Sequence, residues 1–366
     1  MKIIKALKVK SILKYVLPVI IVAILFSIWH FQRKIITVTE TRLVLGTIVE
    51  ITVQGKDRGF LTDAVSAAFL RISEIEKIAD RYSEESEISK LNSLAMLGEL
   101  KEIPVSRETL EMLNLAKGVS ESSGGSFDIT VAPLVDLWDF KEGGQNRGIP
   151  EKGEIRERLK LVDYRNVVIK KNDNLISSNL AGIKFDLGGI AKGYAMDEAA
   201  LVLRGLGVES GVVNAGGDMA IIGNKAGGKP WVIGVQDPRD ANKLIALLSL
   251  EDVSVVTSGD YERYFIHNGV RYHHIIDPRN GSPSNESISV TVIAKNTVKN
   301  TEKNKAKNKG NNTALADALA TAIFVLGPEK GLELAEGLDS VEVLIVGPSG
   351  KTFATTGLTD IVEYLD

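Results

Sequence analysis

Hydrophobic positions recur at two different periods along the chain. Apolar residues three to four positions apart predict amphipathic helices, because such positions share one face of a helix. These helices are predicted over residues 60–80, 109–119, 190–205 and 314–326. The last of them is predicted to end at Gly327-Pro328, a pair that breaks helices, and a further helix is predicted beyond it.

Short alternating or β-branched runs predict strands between these helices. One strand is predicted over residues 42–53, and others over 167–170, 175–178, 183–186, 211–214, 219–222, 231–235, 264–267, 270–276, 287–294 and 341–346. His267-Asn268-Gly269 indicates a hairpin turn. Because strands and helices mix without strict alternation, we expect an α+β fold of mixed sheets with packed helices over residues 42–366.

The N-terminus carries a run of nearly all apolar residues over 15–31, and five lysines precede it. The run is at the short end of what spans a bilayer, and the lysines predict that the N-terminus faces the cytoplasm. Residues 1–34 are therefore expected to be a basic tail and a single transmembrane anchor, with a cleaved signal peptide as the alternative. Residues 35–41 are expected to be a tether. The protein is then expected in the cytoplasmic membrane, with its large domain on the extracytoplasmic side.

The amino-acid composition excludes several classes of protein and of reactive site. The net charge of −3 argues against a nucleic-acid binder, and the lack of cysteine excludes disulfides, thiolate zinc sites and cysteine nucleophiles. The segment Lys295 to Thr313 holds six lysines, six asparagines and no aromatic residue, which predicts a disordered insertion. It is interpreted as a tolerated surface insertion or, alternatively, as a basic flap near the site.

Residues 186–197 form the most informative stretch. Asp186 closes a predicted strand, Gly188-Gly189 follow, and Lys192 opens a helix. Backbone N–H groups at a helix start, next to glycines and one cation, can cradle an anion such as phosphate. The alternative is a strand-to-helix turn in which glycines allow close packing.

Two further pairs suggest catalysis. Asp317 and Thr321 share one helix face and can offer oxygen ligands to Mg²⁺ or Ca²⁺, unless Asp317 only favours the helix dipole and Thr321 only packs. His274 and Asp277 lie at the end of a predicted hairpin strand and suggest a general base with an orienting carboxylate, with a structural histidine as the alternative.

Taken together and in order, nine segments resemble the ApbE-type family of FAD:protein FMN transferases. They are residues 45–47, 82–92, 125–131, 186–194, 214–218, 231–238, 257–260, 274–281 and 317–321. The resemblance implies an ApbE-like α+β fold that binds FAD and Mg²⁺. It also implies transfer of FMN from FAD to a Thr or Ser hydroxyl of an acceptor protein, with release of AMP.

The resemblance assigns roles residue by residue. It implies that the side chains of Asp317 and Thr321, with the backbone oxygens of Gly189 and Ala320, ligate Mg²⁺. Either His274 or Asp277 is implied as the proton acceptor. The residues implied to line FAD are Leu45, Tyr82, Ser126, Phe127, Asp128, Asp186, Lys192 and His274. Two alternative functions use the same pocket, namely hydrolysis of FAD to FMN and AMP, and FAD binding without turnover.

Overall fold

The computed structural model describes residues 34–140, 148–295 and 312–365, together with Pro18 and Ile20. The rest of the predicted anchor and most of the Lys/Asn-rich insertion lie outside these residues. Within the described part of the chain, no helix combines the length and apolarity that a membrane span needs.

An eight-stranded antiparallel sheet forms the centre of the fold. Its strands alternate buried and exposed positions less strictly toward the middle, where both faces are covered by protein. In their order across the sheet, the strands are β1 (Ile36–Val44), β2 (Thr47–Gly55), β6 (Gly211–Ala215), β7 (Asp218–Ile222), β10 (Val253–Gly259), β13 (Ser289–Lys295), β14 (Val341–Val346) and β15 (Thr352–Ala354).

Smaller sheets border this sheet. Strands β8 (Trp231–Asp237), β9 (Asp240–Leu250) and β16 (Val362–Tyr364) form one, β3 (Ile103–Pro104), β4 (Val167–Lys170) and β5 (Leu175–Ser178) form another, and β11 (Tyr264–His267) pairs with β12 (Val270–His273) as a hairpin. The first of these sheets covers a second apolar cluster around Trp231 on the far side of the central sheet.

The helices of the described residues pack on the main hydrophobic core and on a smaller apolar cluster around Trp138, the satellite core. They are α1 (Arg58–Ala79), α2 (Glu87–Met96), α3 (Arg107–Ser122), α4 (Ala132–Trp138), α5 (Lys152–Leu159), α6 (Ala191–Leu206) and α7 (Asn312–Glu336). Helix α7 contacts α6, β10 and β13. It consists of two helical segments that Gly327 separates, with φ 80° and ψ 179°, which confirms the predicted break.

The mixed α+β prediction is confirmed, but the N-terminal boundaries differ. The single strand expected over 42–53 is wrong, because Leu45 and Gly46 adopt positive φ angles of 59° and 65° and turn the chain into the β1–β2 hairpin. Residues 36–41, expected as part of a tether, belong to β1. They pair with β2, and Val38 is buried in the core.

Three other sequence-based boundaries also require correction. Residues 183–186 do not form a strand, since the Asn92 side chain bonds both the N–H and the C=O of Phe185 and so replaces strand partners. Strand β12 ends at His273, so residues 274–276 lie beyond the hairpin. Lys295 belongs to β13, and Thr313 belongs to α7, which places both ends of the predicted insertion inside regular structure.

Candidate functional site

The site begins where α6 and α7 touch. The N–H of Gly193 donates a 3.0 Å hydrogen bond to Oδ2 of Asp317. A Cβ at position 193 would lie only 2.3 Å from the carbonyl oxygen of Thr313. Glycine is therefore required here, because any side chain would push the two helices apart and move Asp317 away from its donor.

Asp317 is a buried carboxylate, and few groups nearby balance its negative charge. Burial raises its pKa above the usual range, while the nearby Lys192 and the N–H of Gly193 act in the opposite direction. Nζ of Lys192 lies 4.0 Å from Oδ1 of Asp317 and forms a close ion pair with the buried carboxylate of Asp218. A single ammonium group is thus shared between two buried acids.

Gly189 completes this cluster from the other side. A Cβ at Gly189 would lie 3.3 Å from Oγ1 of Thr321 and 3.1 Å from the ring of Phe127. The predicted metal ligands Gly189, Thr321 and Asp317 therefore belong to one region, and Ala320 lies beside Thr321 in α7.

This donor set fits a hard cation. One buried carboxylate, one hydroxyl and backbone carbonyl oxygens are ligands that Mg²⁺ and Ca²⁺ accept, and the glycine leaves room that a side chain would fill. The described residues contain no group of three or more His, Asp or Glu side chains that could hold a metal. A set of this kind does not need such a group.

His274 differs from its neighbour His273 in its hydrogen bonds. Nε2 of His273 lies 2.6 Å from the carbonyl oxygen of Ser284, and Nδ1 accepts from the N–H of Ile275, so His273 is structural. Nδ1 of His274 is buried and has no hydrogen-bond partner within the described chain. Although the residue keeps some exposure, burial, together with the positive charges of Arg263 and Lys192 nearby, lowers its pKa to about 3.

Asp277 is the buried organiser of a turn. Its carboxylate accepts bonds from the backbone N–H and the guanidinium of Arg279, at 2.8 to 2.9 Å, and from Nδ2 of Asn280 at 3.0 Å. These bonds fix the loop that follows His274. They also occupy both carboxylate oxygens.

Asp186 and Tyr82 are linked through Arg81. Nε of Arg81 lies 2.9 Å from Oδ2 of Asp186, and Nη2 donates to the hydroxyl of Tyr82 at 2.7 Å. Oδ1 of Asp186 accepts the N–H of Gly188 at 2.8 Å, which shapes the turn before Gly189. Tyr82 is 60% exposed, and the guanidinium carbon of Arg81 lies over its ring, 4.3 Å from the centroid.

The remaining predicted FAD residues hold loops in place. Asp128 is buried and accepts from the N–H and hydroxyl of Thr130 and from the N–H of Tyr164, while burial raises its pKa. The hydroxyl of Ser126 donates to the carbonyl of Ser123. Leu45 sits at the tip of the β1–β2 hairpin, where its N–H donates to Glu76 at 2.6 Å.

The sequence did not reveal the residues that hold the site residues in position. Asp218 lies inside one of the segments that were singled out and Arg81 directly precedes another, yet neither was assigned a role. Asn92 closes the segment 82–92, but its role could not be inferred, because its partner Phe185 lies 93 positions away along the chain.

Comparisons with known proteins identify the family of this chain. Residues 45–345 match the model of the ApbE family. The chain is 30% identical over 344 residues to the FAD:protein FMN transferase of Treponema pallidum, covering 90% of this chain and 89% of that protein. It is 32% identical to a protein of the same name from Klebsiella pneumoniae, with 77% and 81% covered.

Solved structures give the same result. The ApbE protein of Thermotoga maritima superposes with a TM-score of 0.77 and 34% identity, covering 89% of this chain and 99% of that one. The flavin transferase ApbE of Vibrio cholerae superposes with a TM-score of 0.74 and 27% identity, covering 90% and 100%. The chain therefore belongs to the ApbE family.

Proposed function

We propose that this protein transfers FMN from FAD to a Thr or Ser hydroxyl of an acceptor protein and releases AMP. The observation that carries the proposal is the cluster of Asp317, Thr321 and Gly189 beside Lys192, because it suits a metal-assisted reaction at a phosphate. The names of the FAD:protein FMN transferases that this chain resembles supply the substrate and the reaction.

The reaction balances without a redox partner. The acceptor's hydroxyl oxygen forms a bond to the FMN phosphorus, the bond from that phosphorus to the AMP oxygen breaks, and the hydroxyl proton passes to a base. Asp317, Thr321 and the backbone oxygens of Gly189 and Ala320 would hold Mg²⁺, which would supply charge neutralisation at the phosphates. Lys192 contributes a second positive charge close by.

His274 is the better candidate for the base. Its buried Nδ1 has no partner among the described residues, and burial keeps the ring in the neutral form, whose free lone pair can receive a proton. Both oxygens of the Asp277 carboxylate already accept hydrogen bonds from Arg279 and Asn280. In this proposal Asp277 fixes the loop and His274 takes the proton.

The FAD contacts remain proposals of the same kind. The guanidinium of Arg81 lies over one face of the exposed Tyr82 ring, and a planar flavin could stack on the opposite face. Phe127 borders Gly189, so it would lie near the phosphates. The further contacts proposed are Leu45, Ser126, Asp128, Asp186, Lys192 and His274.

We also propose that residues 15–31 anchor the protein in the cytoplasmic membrane with the catalytic domain outside. The lysine bias before the apolar run supports this orientation. Fusing a reporter active only outside the cytoplasm after residue 366 tests it. An inactive fusion, with an active cytoplasmic reporter at the same position, would contradict the orientation.

The test of function uses the full-length protein with FAD, Mg²⁺ and an acceptor domain that offers a Thr or Ser hydroxyl. We expect a fluorescent acceptor band on a denaturing gel and stoichiometric AMP, both lost on chelation and with Asp317→Ala. Glu121→Ala, on the surface of α3, is the control and should retain both products. AMP and FMN without a labelled acceptor would favour hydrolysis, and intact FAD that stays bound would favour a binding protein.

A further inference from the structure

Helix α7 carries both side chains proposed to hold the metal, so the position of its first turn decides where they lie. The first N–H groups of any helix lack partners inside the helix, and a nearby side chain usually accepts from them. In α7 that acceptor comes from a distant part of the chain. Asp197 of α6 accepts from the N–H of Thr313 at 3.0 Å and from the N–H of Ala314 at 2.9 Å.

These bonds repeat at a spacing of one helical turn. Gly193 and Asp197 are four residues apart on α6, and Thr313 and Asp317 are four residues apart on α7. Gly193 donates to Asp317, and Asp197 accepts from Thr313. The two helices are thus joined at two successive turns, once at the start of α7 and once at the proposed metal ligand.

Neighbouring contacts make this junction rigid. The hydroxyls of Ser254 and Thr313 lie 2.7 Å apart in a buried hydrogen bond, which attaches the same turn of α7 to strand β10. The backbone of Gly193 lies so close to Thr313 that no Cβ fits. A rotation or slide of α7 would therefore break several contacts together.

We propose that Asp197 is a positioning residue for the metal site: by capping α7 it holds Asp317 and Thr321 in the register that binds the metal. This inference rests on the metal site of the proposed function. It explains how α7 can begin at a defined point directly after the Lys/Asn-rich segment, since the helix start is fixed by α6 and not by the sequence that precedes it.

The test measures metal binding without FAD or acceptor. Free Mn²⁺ is followed by electron paramagnetic resonance while it is titrated into the metal-free full-length protein at pH 8, where Asp197 is ionised even though burial raises its pKa to about 7. We expect Asp197→Ala to weaken Mn²⁺ binding about tenfold, the low end for residues that orient metal ligands. Asp197→Asn keeps one acceptor oxygen and should weaken it less.

Glu198→Gln is the matched control. Glu198 is the next residue of the same helix, it is buried, and it is paired with Arg71, so its loss should lower stability without moving α7. Its Mn²⁺ affinity should stay within a factor of about two of the wild-type value, because sites that share no partners couple only weakly. Raised Mg²⁺ should restore FMN transfer by Asp197→Asn, since only the affinity for metal has changed.

Two results would overturn the inference in different ways. If Asp317→Ala abolishes Mn²⁺ binding while folded Asp197→Ala and Asp197→Asn bind as tightly as wild type, the metal site stands and Asp197 has no positioning role. If Asp317→Ala itself binds Mn²⁺ normally, the proposed metal site is wrong and the inference falls with it. Should Asp197→Ala fail to fold, the Asp197→Asn titration decides alone.

Discussion

At the scale of single residues, burial has the same effect on two groups of opposite charge. It raises the pKa of the Asp317 carboxyl and lowers the pKa of the His274 imidazole, because a low-dielectric environment penalises the charged form of each. The neutral form of His274 is the one that can accept a proton, and the ionised form of Asp317 is the one that can bind a cation. The site is thus suited to a positively charged ion and a proton donor arriving together.

The neutral state of His274 can be measured directly. With a pKa of about 3, the imidazole should remain neutral at pH 5.5, where an ordinary histidine is mostly protonated. Long-range nitrogen–proton NMR of the full-length protein should show this, and the His274→Gln variant assigns the signal. A midpoint near the ordinary value would mean that the ring is solvated.

The lowered pKa of His274 should also make the folded protein less stable in acid. Between about pH 6.5 and pH 3 the unfolded chain binds a proton at His274 that the folded protein does not, so this group lowers the free energy of unfolding as the pH falls. His274→Gln should therefore flatten the loss of stability over that range in urea unfolding.

At the scale of elements, the packing of α6 against α7 predicts opposite effects for two glycines of one helix. Gly193→Ala should destabilise the protein by several kcal/mol, since its Cβ would overlap the backbone of Thr313 at 2.3 Å and overpacking alone costs about 1–3 kcal/mol. Gly205→Ala meets open space and should stabilise the helix by about 0.5–1 kcal/mol. Urea unfolding of both variants checks this.

Activity separates these variants further. Gly193→Ala should also lose FMN transfer, because the N–H of residue 193 would no longer reach Asp317, whereas Gly205→Ala should retain it. If Gly193→Ala were as stable as wild type, the two helices would have to lie further apart than the structure places them.

Helices and turns could be predicted from the sequence where the residues that indicate them lie close together along the chain. The spacing of Asp317 and Thr321 placed both on one helix, and Gly327-Pro328 marked the break in that helix, because each signal lies within one or two turns. Leu45 was missed as a turn residue, since leucine seldom adopts a positive φ angle and no Asn-Gly or Asp-Gly pair marks the position.

Contacts between distant elements were beyond a single sequence. The cap of α7 by Asp197 joins positions 116 residues apart, and the pairing of Lys192 with Asp218 joins the first turn of α6 to the start of β7. Composition and periodicity describe each partner alone and carry no information on which loops meet. The resemblance to a family supplied the list of site residues, but not the residues that hold them in position.

At the scale of the whole molecule, a satellite core connects α4 to the hairpin that leads into His274. Trp138, Phe140, Phe265 and Tyr272 stack with ring centroids 5.3 to 6.0 Å apart, and the indole N–H of Trp138 donates to the carbonyl of Gly281 at 2.8 Å. This cluster lies apart from the main core. It therefore fixes the loop around His274 to the body of the protein.

Two tryptophans allow a matched test of that role. Trp138→Phe removes the bond to Gly281 and should cost about 1–3 kcal/mol for the buried carbonyl left behind, and it should lower FMN transfer. Trp231→Phe is the control, because the indole N–H of Trp231 has no partner in the described chain and Trp231 packs in the other cluster. Equal loss of transfer in both variants would contradict a special role for the satellite core.

Metal binding should stabilise the whole molecule in a pH-dependent way. The pKa of Asp317 is raised in the folded protein, so ionising this group lowers the free energy of unfolding as the pH rises above its pKa in the unfolded chain. A bound cation removes that penalty by neutralising the carboxylate. A ligand at 100 times its Kd contributes about 2.7 kcal/mol. Protons compete with the cation for Asp317, so the rise in Tm on adding Mg²⁺ should become smaller as the pH falls. Asp317→Asn should abolish the rise at every pH, and a rise that persists in this variant would place the stabilising metal elsewhere.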